Sequence, residues 1–154
     1  MATTFLVYGL GSAPVIDTVE GGLTSENHAA LNGLTFGSTA DPVSGNLSSL
    51  SPATDLLGLV DSYTGGTTSD AYDANNLLYN ERFIVDGVTR THDATMIYSN
   101  TIITYTDGTT AIVEAMVMQD TSGNLYLLPP PTGPDAYSDA LEAKPIASIR
   151  LGTA

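Results

Sequence analysis

The stretch 94–129, ATMIYSNTIITYTDGTTAIVEAMVMQDTSGNLYLLP, decides the fold of this chain. It is the longest run of apolar, β-branched and aromatic residues, which are typical of strands. Two turn signals interrupt it. The pair Asp107-Gly108 favours a two-residue hairpin turn in which both residues take positive φ, and the segment 120–124, DTSGN, is typical of a longer turn that contains glycine. The stretch therefore predicts three antiparallel strands, at Met96–Thr106, Thr110–Gln119 and Leu125–Leu128.

The rest of the chain adds shorter elements. We predict strands at Thr3–Leu10, Asn75–Val85 and Ile146–Leu151, and a helix at Asp135–Ala143 that Pro145 ends. The region of about 23–76 is rich in Gly, Ser, Thr and Asn, which indicates a long irregular segment. Several strands separated by Gly/Asp turns predict a single all-β domain over residues 1–154, a β-sandwich or barrel of antiparallel hairpins with one or two short helices.

The composition excludes several classes of function. The chain has 17 acidic and 4 basic residues and a formal net charge of −13, which argues against binding to nucleic acid or to an anionic membrane. It has no cysteine, which excludes disulfides and thiolate chemistry. No apolar run has the length of a membrane span, and the N-terminus lacks the basic region of a Sec signal. If the protein leaves its cell, we therefore expect it to do so without that signal.

Catalytic residues are scarce in the sequence. The chain has two histidines, and neither lies in a GxSxG motif: we expect His28 in an exposed loop and His92 in a turn. Paired carboxylates could hydrolyse glycosides, but among 17 acids some pair is always available. Glu114 lies within a predicted strand, where a solvated or edge position is the simpler interpretation. We therefore predict that the protein is not an enzyme.

One loop, 61–76, is chemically suited to a cation. Its carboxylate and amide oxygens are the ligands that calcium takes, but it matches no EF-hand pattern and no Gly-Asp repeat. Acidic turn loops are usually solvated, so we predict no cofactor and keep calcium as the alternative. The candidate calcium ligands are Asp61, Asp70, Asp73 and Asn75.

The predicted strand 110–119 is apolar on both faces. Its even-numbered side chains, from Ile112 to Met118, share one face with Glu114, and the odd-numbered residues 113–117 share the other. One face packs on the core, so we expect the other to be covered by a further layer or by a partner subunit. The candidate interface residues are Phe5, Val7, Ile112, Met116 and Met118.

From Tyr105 onward, the segments YTDGTTAIVEAMVMQDTSGNLYLLPPP and ALEAKPIASIRL carry a family resemblance. They resemble the small β-rich domain that precedes a Hint (hedgehog/intein-type) autoprocessing domain in secreted proteins of marine alphaproteobacteria. The resemblance covers the last third of the chain. It does not imply self-splicing, because the chain has no cysteine to start a Hint domain, and it supplies no catalytic residue. By extension it implies a small virion protein of phages that infect such bacteria.

These observations predict a non-enzymatic structural protein of an extracellular or virion assembly. The expected form is a capsid decoration, or cement, protein that stabilises neighbouring subunits. Its expected partners are its own copies, in a homo-oligomer with a trimer favoured, and a major capsid or surface-lattice protein. The alternative is a secreted bacterial binding module for calcium, a glycan or a cell-surface partner.

Overall fold

The computed structural model describes residues 5–18, 26–52, 82–128 and 136–153. Over these residues the fold is all-β, as predicted, and all eight strands join one hydrogen-bonded antiparallel sheet. No helix in the described ranges is long and apolar enough to cross a membrane. The strands are β1 (Phe5–Ser12), β2 (Thr35–Gly37), β3 (Leu47–Pro52), β4 (Arg82–Val85), β5 (Val88–Tyr105), β6 (Thr110–Asp120), β7 (Asn124–Leu128) and β8 (Ile146–Arg150); they are joined by the 3-10 turns η1 (His28–Leu31) and η2 (Val43–Asn46) and the helix α1 (Ala136–Ala143).

Six of these strands close into a barrel. The ring runs β1-β3-β4-β5-β6-β7 and returns to β1, and every pairing in it is antiparallel. The 18-residue strand β5 closes the ring, because its first residues pair with β4 and the rest of the strand pairs with β6. Beyond the ring, β8 and then β2 continue the sheet from the second half of β5. Of the two predicted architectures, a β-sandwich and a barrel, the structure shows the barrel.

Both faces of the barrel wall are packed. The odd-numbered residues of β6 face an outer core that includes residues of α1 and β8, as the alternation predicted. The even-numbered Met118 faces a second core, whose residues come from five of the six ring strands and therefore fill the barrel interior. The interior core consists of Val7, Leu50, Phe83, Val85, Met118, Tyr126 and Leu128.

The turn at Asp107-Gly108 differs from the prediction. Only Gly108 has positive φ (88°), and the loop has three residues, because the Gly108 N–H donates to the Tyr105 carbonyl at 2.9 Å and the Tyr105 N–H donates to the Thr109 carbonyl at 2.8 Å. Asp107 does not take positive φ, and its carboxylate accepts the Thr109 N–H at 2.9 Å and lies 2.8 Å from Lys144 Nζ. The prediction of a two-residue turn is therefore wrong here, although the hairpin itself is present.

Two further predictions need correction. His92 was expected in a turn but lies fully buried within β5, because this strand begins at Val88, eight residues before its predicted start. Its early start follows from the two-residue turn at Asp86-Gly87, where both residues do have positive φ (49° and 84°). The region 23–76 is only partly irregular, since its described part contains both 3-10 turns and two strands.

The other predicted elements are confirmed where the structure describes them. The strands expected at Thr3–Leu10, in the central stretch and at Ile146–Leu151 correspond to β1, to β5, β6 and β7, and to β8. The predicted helix corresponds to α1. The strand expected at Asn75–Val85 is described from Arg82, and its first part lies outside the described residues.

Candidate functional site

One mouth of the barrel opens into a cleft of about 620 Å³, called here the mouth cleft. It lies where β1 ends, where β3 and β7 begin, and where the β4–β5 turn reverses the chain. A bulge in β1 shapes it, because Gly9 pairs with Tyr126 but Gly11 pairs with Leu125. Such bulges are common at barrel rims and next to binding sites, where they change the direction of the strand. The polar residues that line the cleft include Asp41, Asn46, Ser48, Asp86, Arg90 and Asn124.

Arg90 is the basic residue of the mouth cleft. Its backbone pairs with Phe83, an interior residue, so the arginine points into the barrel. Its Nε lies 3.8 Å from Asp120 Oδ2, which is an ion pair but too long for a hydrogen bond. That Nε is buried and has no hydrogen-bond partner, while about a third of the side chain (34%) is exposed. The charge of Asp120 thus holds the guanidinium, and its exposed part can contact a ligand.

Asp120 is the buried carboxylate that forms the ion pair with Arg90. Its Oδ1 accepts the backbone N–H groups of Ser122 (2.9 Å) and Asn124 (3.0 Å). Its Oδ2 accepts the Asn124 side-chain amide at 3.0 Å and the Tyr126 hydroxyl at 3.1 Å. The hydrogen bonds from the DTSGN turn and from Tyr126 therefore satisfy this carboxylate without any contribution from Arg90, and they hold Asp120 in place.

This arrangement is suited to binding rather than to proton transfer. Burial raises the pKa of Tyr126 far above its ordinary value, and the negative charge of Asp120 adds to the shift. Tyr126 therefore stays protonated at neutral pH. Because the hydrogen bonds to Asp120 occupy its oxygens, this carboxylate is a poor general base.

The two histidines lie in different elements. His92 is fully buried in the barrel wall, with its Nε2 2.9 Å from Thr95 Oγ1. His28 begins η1, and its carbonyl accepts the Tyr98 hydroxyl at 2.7 Å. Within the described ranges, no three or more His, Asp or Glu residues are grouped as a metal site would require. The candidate calcium ligands Asp61, Asp70, Asp73 and Asn75 lie outside the described residues.

The structure does not bring the candidate interface residues together. Val7 and Met118 are fully buried in the barrel interior, so their side chains do not reach the surface. Phe5 begins β1 and pairs through its backbone with β3. Ile112, by contrast, is 70% exposed, and Met116 on the same strand is half-buried.

Ile112 and Met116 belong to a larger apolar surface, called here the isoleucine face. Ile102 pairs with Ile112, and Ile97, which is 47% exposed, pairs with Met116. This face continues the inner side of β5 and β6 beyond the second mouth of the barrel. The exposed Glu114 lies between the two apolar pairs, as expected of a solvated position.

Ile97 and Ile102 were not predicted as interface residues, because strict alternation puts them on opposite faces. They are five residues apart, and a period of two places an odd spacing on different sides. The register shifts between Tyr98 and Thr101, where Asn100 takes positive φ (57°), and this bulge returns both isoleucines to one face. A non-glycine residue in this conformation gives little signal in a sequence, although asparagine is the residue that tolerates it best.

Comparison of the chain with protein-family models, with curated proteins and with solved structures finds no match. The resemblance to the domain that precedes Hint domains therefore stays a hypothesis. The geometry defines two candidate functional surfaces, the mouth cleft and the isoleucine face.

Proposed function

We propose that this chain is a non-enzymatic structural protein of an extracellular or virion assembly. In this proposal it is a decoration or cement-type component that stabilises neighbouring subunits through contacts with its own copies and with a capsid or surface-lattice protein. The observation that supports the proposal is the isoleucine face. Large apolar side chains that share one surface beyond a packed core mark interaction sites more often than scattered ones do.

Burial of this face by another chain would be favourable. Removing apolar surface from water contributes roughly 25 cal/mol per Å². Ile112 projects with 70% of its surface exposed, so it is the natural centre of such a contact. Neighbouring Ile97 and the half-buried Ile102 and Met116 extend the apolar surface around it.

The charges on this face favour a second copy of the chain as the partner. Glu114 stands among the apolar residues, and burying it against an apolar surface would cost free energy unless a cation met it. The chain supplies such a cation on the same side of the sheet, because the exposed Arg150 of β8 pairs with Ile102. Glu114 lies on β6 and Arg150 lies on β8, so the two charged residues are on opposite sides of β5. A cyclic oligomer such as a trimer would set Glu114 of each copy beside Arg150 of the next.

The mouth cleft favours the alternative function, a secreted binding module. An open cleft with polar and charged groups at a barrel mouth is a common place for a ligand. In that case the protein would act through a bound ligand, and its copies need not associate.

Substitution of Ile112 tests the assembly proposal. We expect Ile112→Asp to leave the fold intact, since the side chain projects from the surface, and to convert an oligomer into monomers. The measurement is the mass in solution by sedimentation equilibrium. Leu6→Asp is the matched control, because Leu6 is another exposed aliphatic residue (58%) on a strand outside the face. Dissociation by both variants, or by neither, would count against the isoleucine face as the interface.

A further inference from the structure

We propose that the mouth cleft binds one or two sugar rings of a neutral saccharide. This inference deepens the alternative function by naming the ligand class, and it does not depend on the isoleucine face. The cleft has a volume of about 620 Å³, which is within the usual range for small-molecule sites. The ligand class follows from the polar groups, the charges and the shape of the cleft.

The polar lining offers both donors and acceptors of hydrogen bonds. Arg90 offers only donors, the exposed carboxylate of Asp41 offers only acceptors, and the exposed amide of Asn46 offers both. A hydroxyl group both donates and accepts. A ligand with several hydroxyl groups around a ring can therefore satisfy all three side chains.

The charges around the cleft disfavour ionic ligands. Asp41 and Asp86 line it, Asp120 lies behind Arg90, and the chain carries a net charge of −13, so an anion would approach against a negative potential. Hydrogen bonding by the Ser49 N–H lowers the pKa of Asp86, which keeps this carboxylate ionised at neutral pH. A metal cation would meet the Arg90 guanidinium, and the described residues contain no group of three or more carboxylate or histidine ligands. A neutral ligand avoids both penalties.

The shape of the cleft exposes backbone and two apolar side chains. Gly11 and Gly45 have no heavy atom within 4 Å of the position that a Cβ would take, so both leave open space. At Gly11 the positive φ of 86° belongs to the β1 bulge. Leu47 and Val88 at the rim are about half exposed (49% and 50%) and can contact the C–H groups of a sugar ring.

A saccharide titration tests this inference. Amide shifts of the ¹⁵N-labelled full chain are followed by NMR against maltotriose, cellotriose and mannotriose, with trigalacturonate as the anionic probe. Gly45→Leu places a large side chain in the cleft from a position where a Cβ has no heavy atom within 4 Å, and Gly45 does not have positive φ. Ala143→Leu, an exposed position at the end of α1, is the matched control, and Arg90→Gln is the second variant in case Gly45→Leu does not fold.

We expect saturable shifts at the mouth cleft with at least one neutral trisaccharide, with a dissociation constant of about 1 mM or tighter that salt leaves unchanged. Gly45→Leu or Arg90→Gln should weaken binding about tenfold or more, and Ala143→Leu should not. The inference is overturned if no neutral probe saturates, if both cleft variants bind like the original chain, or if trigalacturonate alone binds. The mass of each variant in solution separates this outcome from a failure of the assembly proposal.

Discussion

Gly152 is the glycine with the least space for a side chain in the described part of the protein. A Cβ there would lie 1.7 Å from the carbonyl oxygen of Ser99 and 2.7 Å from the carbonyl carbon of Asn100. Two hydrogen bonds between Ser99 and Thr153, of 2.8 and 3.0 Å, hold the backbones together at this point. The close approach joins the end of the chain to the bulge that shapes the isoleucine face.

We predict that Gly152→Ala lowers the free energy of unfolding by about 3 kcal/mol or more, because backbone atoms would have to separate. Gly45→Ala is the matched control, since its added methyl group meets no atom. It should change stability by less than about 1 kcal/mol. Urea unfolding measures both variants. If Gly152→Ala and Gly45→Ala changed stability equally, the close contact with Ser99 would not be what requires glycine at position 152.

Asp107 gives a prediction about pH. The hydrogen bond from Lys144, followed by those from Thr109, holds the pKa of Asp107 well below its ordinary value. The contribution of this carboxylate to stability is therefore present above the ordinary pKa of about 4 and is lost as the pH falls toward the lower pKa of the folded state. Asp107 is exposed, so salt should weaken the effect.

The variant Asp107→Asn keeps the side-chain oxygen that caps Thr109 and removes the charge. We expect it to have a lower Tm than the original chain at pH 7, and the difference to shrink in acid as Asp107 of the original chain becomes protonated. Thermal unfolding followed by circular dichroism over this pH range measures the difference. A Tm difference that stays constant from neutral pH to strong acid would contradict an electrostatic role for this residue.

At the scale of elements, helix α1 is attached to the sheet through tyrosine hydroxyl groups. The Tyr105 hydroxyl donates to the Ala140 carbonyl at 2.6 Å, and the Tyr137 hydroxyl donates to the Leu128 carbonyl. The carbonyls of the last turn of a helix have no partner within it, so Tyr105 satisfies a group that would otherwise need water.

We predict that Tyr105→Phe costs about 1 kcal/mol and speeds hydrogen exchange of the α1 amides more than that of the barrel amides. Tyr8→Phe is the control, because Tyr8 also packs against the outer core but belongs to β1. If the two variants affect α1 equally, the hydroxyl of Tyr105 is not what attaches the helix.

The elements of this fold could be predicted wherever the information is local. Apolar alternation and turn residues were enough for the later part of β5 and for β6 and β7, and Pro145 marked the end of α1. The turn residues predicted the wrong loop length at Asp107. Asp-Gly pairs fit either a two-residue or a three-residue loop, and the tertiary contact with Lys144 favours the three-residue loop. Local patterns do not contain such contacts.

The two candidate surfaces depend on contacts between distant parts of the chain, and the sequence alone did not reveal them. Arg90 and Asp120 come together because β5 pairs with β6 in a register that sets His92, two residues after Arg90, opposite Asp120. The isoleucine face needs a bulge at Asn100 that reverses the alternation. Val7 and Met118 were predicted as interface residues because an apolar residue in a strand looks the same whether it fills a barrel or meets a partner.

At the scale of the whole molecule, a protein with a net charge of −13 must overcome its own repulsion to associate. In the proposed assembly the isoleucine face would overcome this repulsion, because apolar burial is little affected by charge and each copy would provide Arg150 for Glu114 of the next. Association of this kind should strengthen with added salt, which screens the overall repulsion more than a buried contact.

The measurement that tests the assembly proposal most directly is the mass of the original chain in solution, by sedimentation equilibrium at micromolar concentration, with calcium and with a chelator. The proposal predicts a stable oligomer, with a trimer favoured, whose mass does not change when calcium is removed. A monomer at every concentration and salt would contradict it, and a monomer whose melting temperature falls on chelation would favour a calcium-dependent binding module instead.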